Sequence, residues 1–208
     1  MEMTLENFIV DNSNEKAYKA IKKLLKDRKE YLPIYIYGKI GLGKTHLVTG
    51  IADKAMKNDN VLLATCENFI NDFMRTNGEK NYLGKYYNCE FLILEDVQYI
   101  LNRKPIQEEI NKLVEDFISK NKKIVLTSSL PPEISFNIEG FSDNFLVYQI
   151  TIPTVKLKRG IIRMVEKEKD VVFDKENLRK IIDEVDNVKT LYDILKEEYK
   201  LIRFDTLI

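Results

Sequence analysis

Gly38-Lys39-Ile40-Gly41-Leu42-Gly43-Lys44-Thr45 decides the fold: a glycine, four residues, then Gly-Lys-Thr. This is the pattern of a P-loop, in which backbone N–H groups close around phosphates at the start of a helix. The flanks fit it. Leu32 to Tyr37 forms an apolar run that reads as a buried strand, and beyond the loop Leu47, Ile51 and Ala55 recur at helical spacing. In such a loop Lys44 reaches the β- and γ-phosphates and the Thr45 hydroxyl ligates Mg²⁺. The chain is therefore expected to bind ATP or GTP.

A second apolar run, Phe91-Leu92-Ile93-Leu94, ends in Glu95 and Asp96 fifty residues after Thr45. This is the form of a Walker B strand, which carries carboxylates to the edge of the phosphate loop. One acid holds the metal, here Glu95, and the next, Asp96, orients the attacking water. Further runs, Val61 to Thr65, Ile124 to Thr127 and Leu146 to Ile152, complete a set of five strands. Between them Glu67 to Arg75 and Gln107 to Ile118 read as helices. Ser128 and Ser129 leave the fourth strand where a hydroxyl could sense the γ-phosphate.

At the N-terminus, Phe8-Ile9-Val10 precedes Asp11-Asn12-Ser13-Asn14 and an amphipathic helix through Ala17, Ala20, Ile21 and Leu24, with Ser13 as its expected N-cap. In an ATPase, an apolar arm ahead of the P-loop strand can line the adenine pocket. After Pro153 the pattern changes to three charged helices, Val155 to Glu168, Lys175 to Glu184 and Val188 to Leu201. Each is too short to stand alone, so they are expected to pack as a small bundle on the α/β unit.

Bulk properties limit the alternatives. Among 208 residues, Lys plus Arg and Asp plus Glu are 33 each, so no global field draws the chain to nucleic acid. Two cysteines, Cys66 and Cys89, are too few for a disulfide framework and suit a reducing compartment. No apolar run is long enough to span a membrane, and the N-terminus is acidic where a signal peptide would be basic. The reading is a cytoplasmic, non-membrane protein.

These motifs together resemble the DnaA-type AAA+ ATPases. Phe8-Ile9-Val10 with Ser13-Asn14-Glu15, the P-loop with His46-Leu47, Glu95-Asp96-Val97-Gln98, Gln107-Glu108-Glu109 and Ile124 to Ser129 with Pro131-Pro132 stand in that family's order and spacing. The resemblance implies an α/β P-loop AAA+ domain, residues 1–153, with a five-stranded parallel sheet flanked by helices. A small helical lid, residues 154–208, completes it. It assigns ATP or ADP to Phe8, Ile9, Val10, Asn14, Gly38, Gly41, Leu42, Gly43, Lys44, Thr45, His46, Ser129 and Lys189, Mg²⁺ to Thr45 and Glu95, and catalysis to Asp96 with Lys44. The segment Arg75 to Tyr87 resembles the family's helical insertion facing single-stranded DNA. There Arg75, Lys80 and Lys85 would meet phosphates and Tyr82, Tyr86 or Tyr87 would stack on bases; the alternative is that the tyrosines are core and the lysines solvated. The likeness ends with the lid, leaving no room for a duplex-reading helix-turn-helix domain.

Three positions depart from the pattern. Glu95 replaces the first Walker B Asp, Asn144 stands where the family carries an arginine finger, and Lys189 replaces the sensor 2 Arg, which keeps the charge and loses the bidentate fork. The resemblance implies a role in replication initiation or its regulation, through a DnaA-like initiator or replicative helicase as partner, or through single-stranded DNA, with weak hydrolysis. A DnaC-like helicase loader working as an active ATPase is the alternative. A small-molecule P-loop kinase would need lid arginines, for which only Arg159 and Arg163 offer themselves.

Overall fold

The computed structural model describes residues 2–26, 32–75, 82–136 and 142–205. Five short strands, β1 (Ile34–Tyr37), β2 (Val61–Thr65), β3 (Phe91–Glu95), β4 (Lys123–Ser128) and β5 (Leu146–Gln149), pair in the order β2-β3-β4-β1-β5. Every pairing is parallel. Parallel strands need crossovers that cover both faces, so their central members are apolar throughout rather than alternating. β3 and β4 are buried along their whole length. The register aligns Tyr37 of β1 with Ser128 of β4, and Thr65 of β2 with Glu95 of β3. That brings the P-loop, the acid pair and the two serines to one edge of the sheet, outside its carboxyl ends.

Helices α1 (Glu15–Lys26) and α2 (Lys44–Ala55) cover one face, burying Ala17, Ile21, Leu24, Leu47, Val48 and Ile51 against Ile34, Ile36, Phe91, Ile93 and Val125. Helices α3 (Cys66–Arg75), α4 (Gly84–Asn88) and α5 (Lys104–Ser119) cover the other. A single turn, α6 (Pro132–Ser135), follows β4. α7 (Val155–Lys169), α8 (Lys175–Glu184) and α9 (Val188–Asp205) then enclose a third apolar cluster built from Leu157, Ile161, Ile162, Phe173, Leu191 and Leu195.

Two local expectations change. α1 begins at Glu15, not after a Ser13 cap, because the Asp11 carboxylate takes both the Ser13 N–H at 2.8 Å and its hydroxyl at 2.5 Å. α5 begins at Lys104, three residues before Gln107. Its second residue, Pro105, needs no N–H partner in a first turn.

Candidate nucleotide-binding site

Gly41 and Gly43 hold φ of +83° and +95°, the left-handed region that side chains rarely adopt. They bend the loop so that α2 begins at Lys44, directly behind it. Lys44 is buried, and its Nζ donates to the Gly38 and Lys39 carbonyls at 2.6 and 3.0 Å. Burial pulls its pKa down, while Asp96 and Glu95 pull the other way. A buried ammonium held only by neutral carbonyls favours an anion placed in the loop.

β3 ends on the acids. Glu95 is buried; burial first, then the neighbouring Asp96, pushes its pKa up, against the Thr45 hydroxyl beside it, which lowers it. Among the described residues there is no cluster of three or more His, Cys, Asp or Glu that could hold a metal alone. A hydroxyl touching a carboxylate beside a second carboxylate is still an all-oxygen set that fits Mg²⁺, whose remaining positions are filled by phosphates and water. A cation there would also relieve the repulsion that raises Glu95.

Asp96 adopts φ +60°, a conformation open to Asp at modest cost. Its N–H donates to Thr127 Oγ1 at 3.2 Å. The Gln98 amide spans the gap to β4: Nε2 donates to Asp96 Oδ1 at 3.1 Å and Oε1 accepts from the Ser129 N–H at 2.9 Å. Ser129 thus meets the acid through Gln98, and Ser128 Oγ is turned to Ser135 Oγ at 3.1 Å. Thr127 and the bridging role of Gln98 were not legible in sequence, since both contacts join segments about thirty residues apart.

A cavity of about 810 Å³ opens between the P-loop and the lid. Gly41, Gly43, Lys44, Thr45, His46, Asp96 and Gln98 form its floor, and Lys189 with Tyr192 and Lys196 of α9 its roof. Lys189 is brought there by α9's first turn. Its N–H donates to the Gly41 carbonyl at 3.0 Å, while the Asn187 side chain caps the helix by accepting from Thr190 N–H at 2.8 Å. A Cβ on Gly41 would lie 2.7 Å from Asn187 Oδ1, so the loop and the lid touch with no space between them.

The N-terminal arm borders the cavity with Glu2 and Met3 and then runs past the loop. The Phe8 ring stacks on Tyr18, centroids 5.8 Å apart, and meets the His46 ring edge-on at 5.3 Å. Ile9 packs against Gly160 of α7, and Val10 against the core under α1 and α2. Asn14 is buried, its side chain donating to the Ile9 carbonyl and accepting from Asp11 N–H, both at 3.0 Å. Leu42 is buried in the core and Gly38 donates to the Ser128 carbonyl at 3.2 Å. His46 Nε2 donates to the Thr4 carbonyl at 2.9 Å and to Asn7 Oδ1 at 2.7 Å, so it fastens the arm across α2. Phe8, Ile9, Val10 and Asn14 therefore do not line the cavity: Phe8 lies against Gly43 and His46, Ile9 against α7, Val10 on the core, and Asn14 on the backbone of Asp11 and Ile9.

In the insertion, Lys80 lies outside the described residues. Arg75 and Tyr82 are exposed. Tyr86 is fully buried against Phe69 with its hydroxyl on Asp72 at 2.8 Å, and the Tyr87 hydroxyl donates to Glu109 at 2.8 Å. Lys85 pairs with Asp72 at 2.7 Å. Stacking by Tyr86 is thus corrected to core packing, because α4 must bury an apolar face to hold itself on the domain.

The sheet order, the phosphate loop and the acid-tipped third strand under a helical lid define a P-loop nucleotide-binding domain of the AAA+ kind. Comparison narrows this. A family model described as the bacterial DnaA ATPase domain matches residues 1–148, and the chain belongs to that family. The chromosomal replication initiator protein DnaA of Helicobacter hepaticus is 34% identical over 92% of this chain and 44% of its own length. That of Nautilia profundicola is 35% identical over 78% and 39%. The chain thus spans less than half the length of these relatives. Domain III of Thermotoga maritima DnaA superposes with a TM-score of 0.86 at 27% identity, covering 99% of this chain and 90% of that one. A DnaA described as bound to AMPPCP and single-stranded DNA gives 0.84 at 26% identity, covering 97% and 64%. Among the described residues no helix is long and apolar enough to cross a membrane.

Proposed function

We propose that this domain binds ATP or ADP with Mg²⁺ and acts as a nucleotide-dependent module in replication initiation or its regulation. The observation that carries the reading is the continuous wall from Gly41 through Lys44 and Thr45 to Asp96, closed by Lys189 of the lid. Phosphates lie on the loop amides with Lys44 and Lys189 as counter-charges; Thr45 and Glu95 hold the metal, which neutralises phosphate charge. Asp96, aimed by Gln98 and Thr127, orients water. The base lies toward Phe8, Ile9, Val10 and Asn14, in support of which Ile9 already contacts the lid at Gly160. The homologous initiator described with AMPPCP and single-stranded DNA supports both ligands for this chain. The DNA contact rests on Arg75 and Lys80, with Tyr82 as the exposed aromatic.

Calorimetry with ADP and ATP tests the nucleotide site. Lys44→Ala removes a charge-assisted contact worth about 1.5–3 kcal/mol, so affinity should fall at least about tenfold. Undiminished binding by that variant would place the nucleotide elsewhere.

A further inference from the structure

Lysines on the helices of this protein commonly find an acid one turn away: Lys19 with Glu15, Lys112 with Glu109, Lys120 with Asp116, Lys180 with Glu176 and Lys200 with Glu197. Helix α7 departs from this. Lys156, Arg159, Arg163 and Lys167 follow at spacings of three, four and four residues. At 100° per residue they fall within an arc of about 80° along about 16 Å of helix. All four are exposed, and none makes an ion pair or hydrogen bond among the described residues. The helix's own acids are turned to other work. Glu166 accepts from the Phe173 N–H at 3.2 Å, and Glu168 pairs with Lys169 at 3.0 Å on the cavity side.

Packing does not require these cations. The buried face of α7 is Leu157, Ile161, Ile162 and Val165, on the opposite side. Like charges one turn apart weaken a helix, and the protein as a whole is neutral, so the row is a local concentration rather than part of a general field. A row of unpaired cations at this spacing suits a polyanion with a regular repeat. We propose that the exposed face of α7 is a docking strip for a nucleic-acid phosphate backbone. Phosphates of one strand recur about every 3.4 Å of duplex axis, so a strip laid along that axis spans about five of them. The two guanidiniums at its centre can each grip a phosphate with two donors. The strip is separate from the insertion, where Lys85 is already committed to Asp72, and it does not rest on the nucleotide reading.

Salt titrations of a labelled oligo-dT and of a mixed-sequence duplex compare the wild type with K156Q/R159Q/R163Q/K167Q and, in parallel, R75Q/K80Q. Losing four phosphate contacts should lower the slope of log affinity against log salt by about 3 and weaken binding at least about tenfold near 0.1 M salt. ADP affinity and the thermal midpoint should not move, which separates this result from a failed fold or a failed nucleotide site. A drop confined to one probe supports the strip and identifies which nucleic acid it takes. Unchanged affinity and slope on both probes, binding lost only in R75Q/K80Q, or no binding by the wild type at low salt would each overturn the proposal. So would a strip variant that loses affinity for polyglutamate alone, which would make the face a protein contact.

Discussion

Two residues set apart from the site report on the core beneath it. Cys66 opens α3 next to the acid-bearing edge of the sheet, and Cys89 lies between α4 and β3; both are free and buried. Burial pushes the Cys66 thiol from 9.0 up to about 12 and Cys89 to about 11. A raised thiol pKa favours the protonated form in the folded state. The stabilisation is fully present below about pH 9 and declines as pH rises from there, because the unfolded chain can shed those protons and the folded chain cannot. Two outcomes follow. Ellman's reagent at pH 8 should label the native protein only as fast as it opens, and the urea midpoint should fall between pH 8 and pH 10 by less in Cys66→Ala/Cys89→Ala than in the wild type. Rapid native labelling would contradict the burial. At this scale the sequence was most informative where chemistry is contiguous: Gly41 to Thr45 and Glu95-Asp96 each announce themselves within a few residues. It was silent on Thr127 and on the reach of Gln98, because a side chain bridging β3 and β4 is visible only once the strands are paired.

Among elements, the junction of arm, α1 and lid is tied through one carboxylate. Asp11 Oδ1 accepts from Ser13, Oδ2 accepts from the Thr154 hydroxyl, and Thr154 in turn caps α7 by accepting from Leu157 N–H at 3.2 Å. The Ser13 carbonyl also accepts from Thr151 N–H at 3.0 Å. The sequence showed only a polar turn here. Its partners lie about 140 residues downstream, and nothing local distinguishes this Asp from an ordinary turn former. Asp11→Ala leaves the buried Ser13 donors and the half-buried Thr154 hydroxyl without their acceptor; a buried unsatisfied donor costs about 1–3 kcal/mol and water can serve Thr154 in part, so a loss of about 1–3 kcal/mol in urea denaturation is expected. Nucleotide affinity should fall with it, since α7 meets Ile9 just beyond. A variant as stable as the wild type would mean that water serves these donors. Strand positions were legible from apolar runs because both faces of this sheet are covered. The ends were less so: β1 begins at Ile34 and β5 stops at Gln149, where the expected runs were longer, since apolar residues continue past the last ladder bond into turns.

For the whole molecule, the proposed function implies a site that holds nucleotide and is completed from outside. The loop supplies Lys44 and Thr45, the end of β3 supplies Glu95 and Asp96, and the lid supplies Lys189. At the position where the family carries its finger, Asn144 stands exposed in the turn Ser142–Asn144 ahead of β5. An arginine contributed across an interface is worth about 10³–10⁵ in rate because it neutralises charge that develops only in the transition state. On the function proposed above, asparagine at that position gains no such stabilisation from copies of this chain, and we propose that a heterotypic partner bearing the arginine completes the site. The direct test is ATP hydrolysis per subunit measured over a wide range of protein concentration, with ADP release followed in the same samples. The expected result is a rate near background that stays flat as concentration rises, with nucleotide retained. A rate per subunit that climbs steeply with concentration would contradict it, and would mean that another cation of this chain, Arg159 or Arg163 foremost, reaches a neighbour's phosphates.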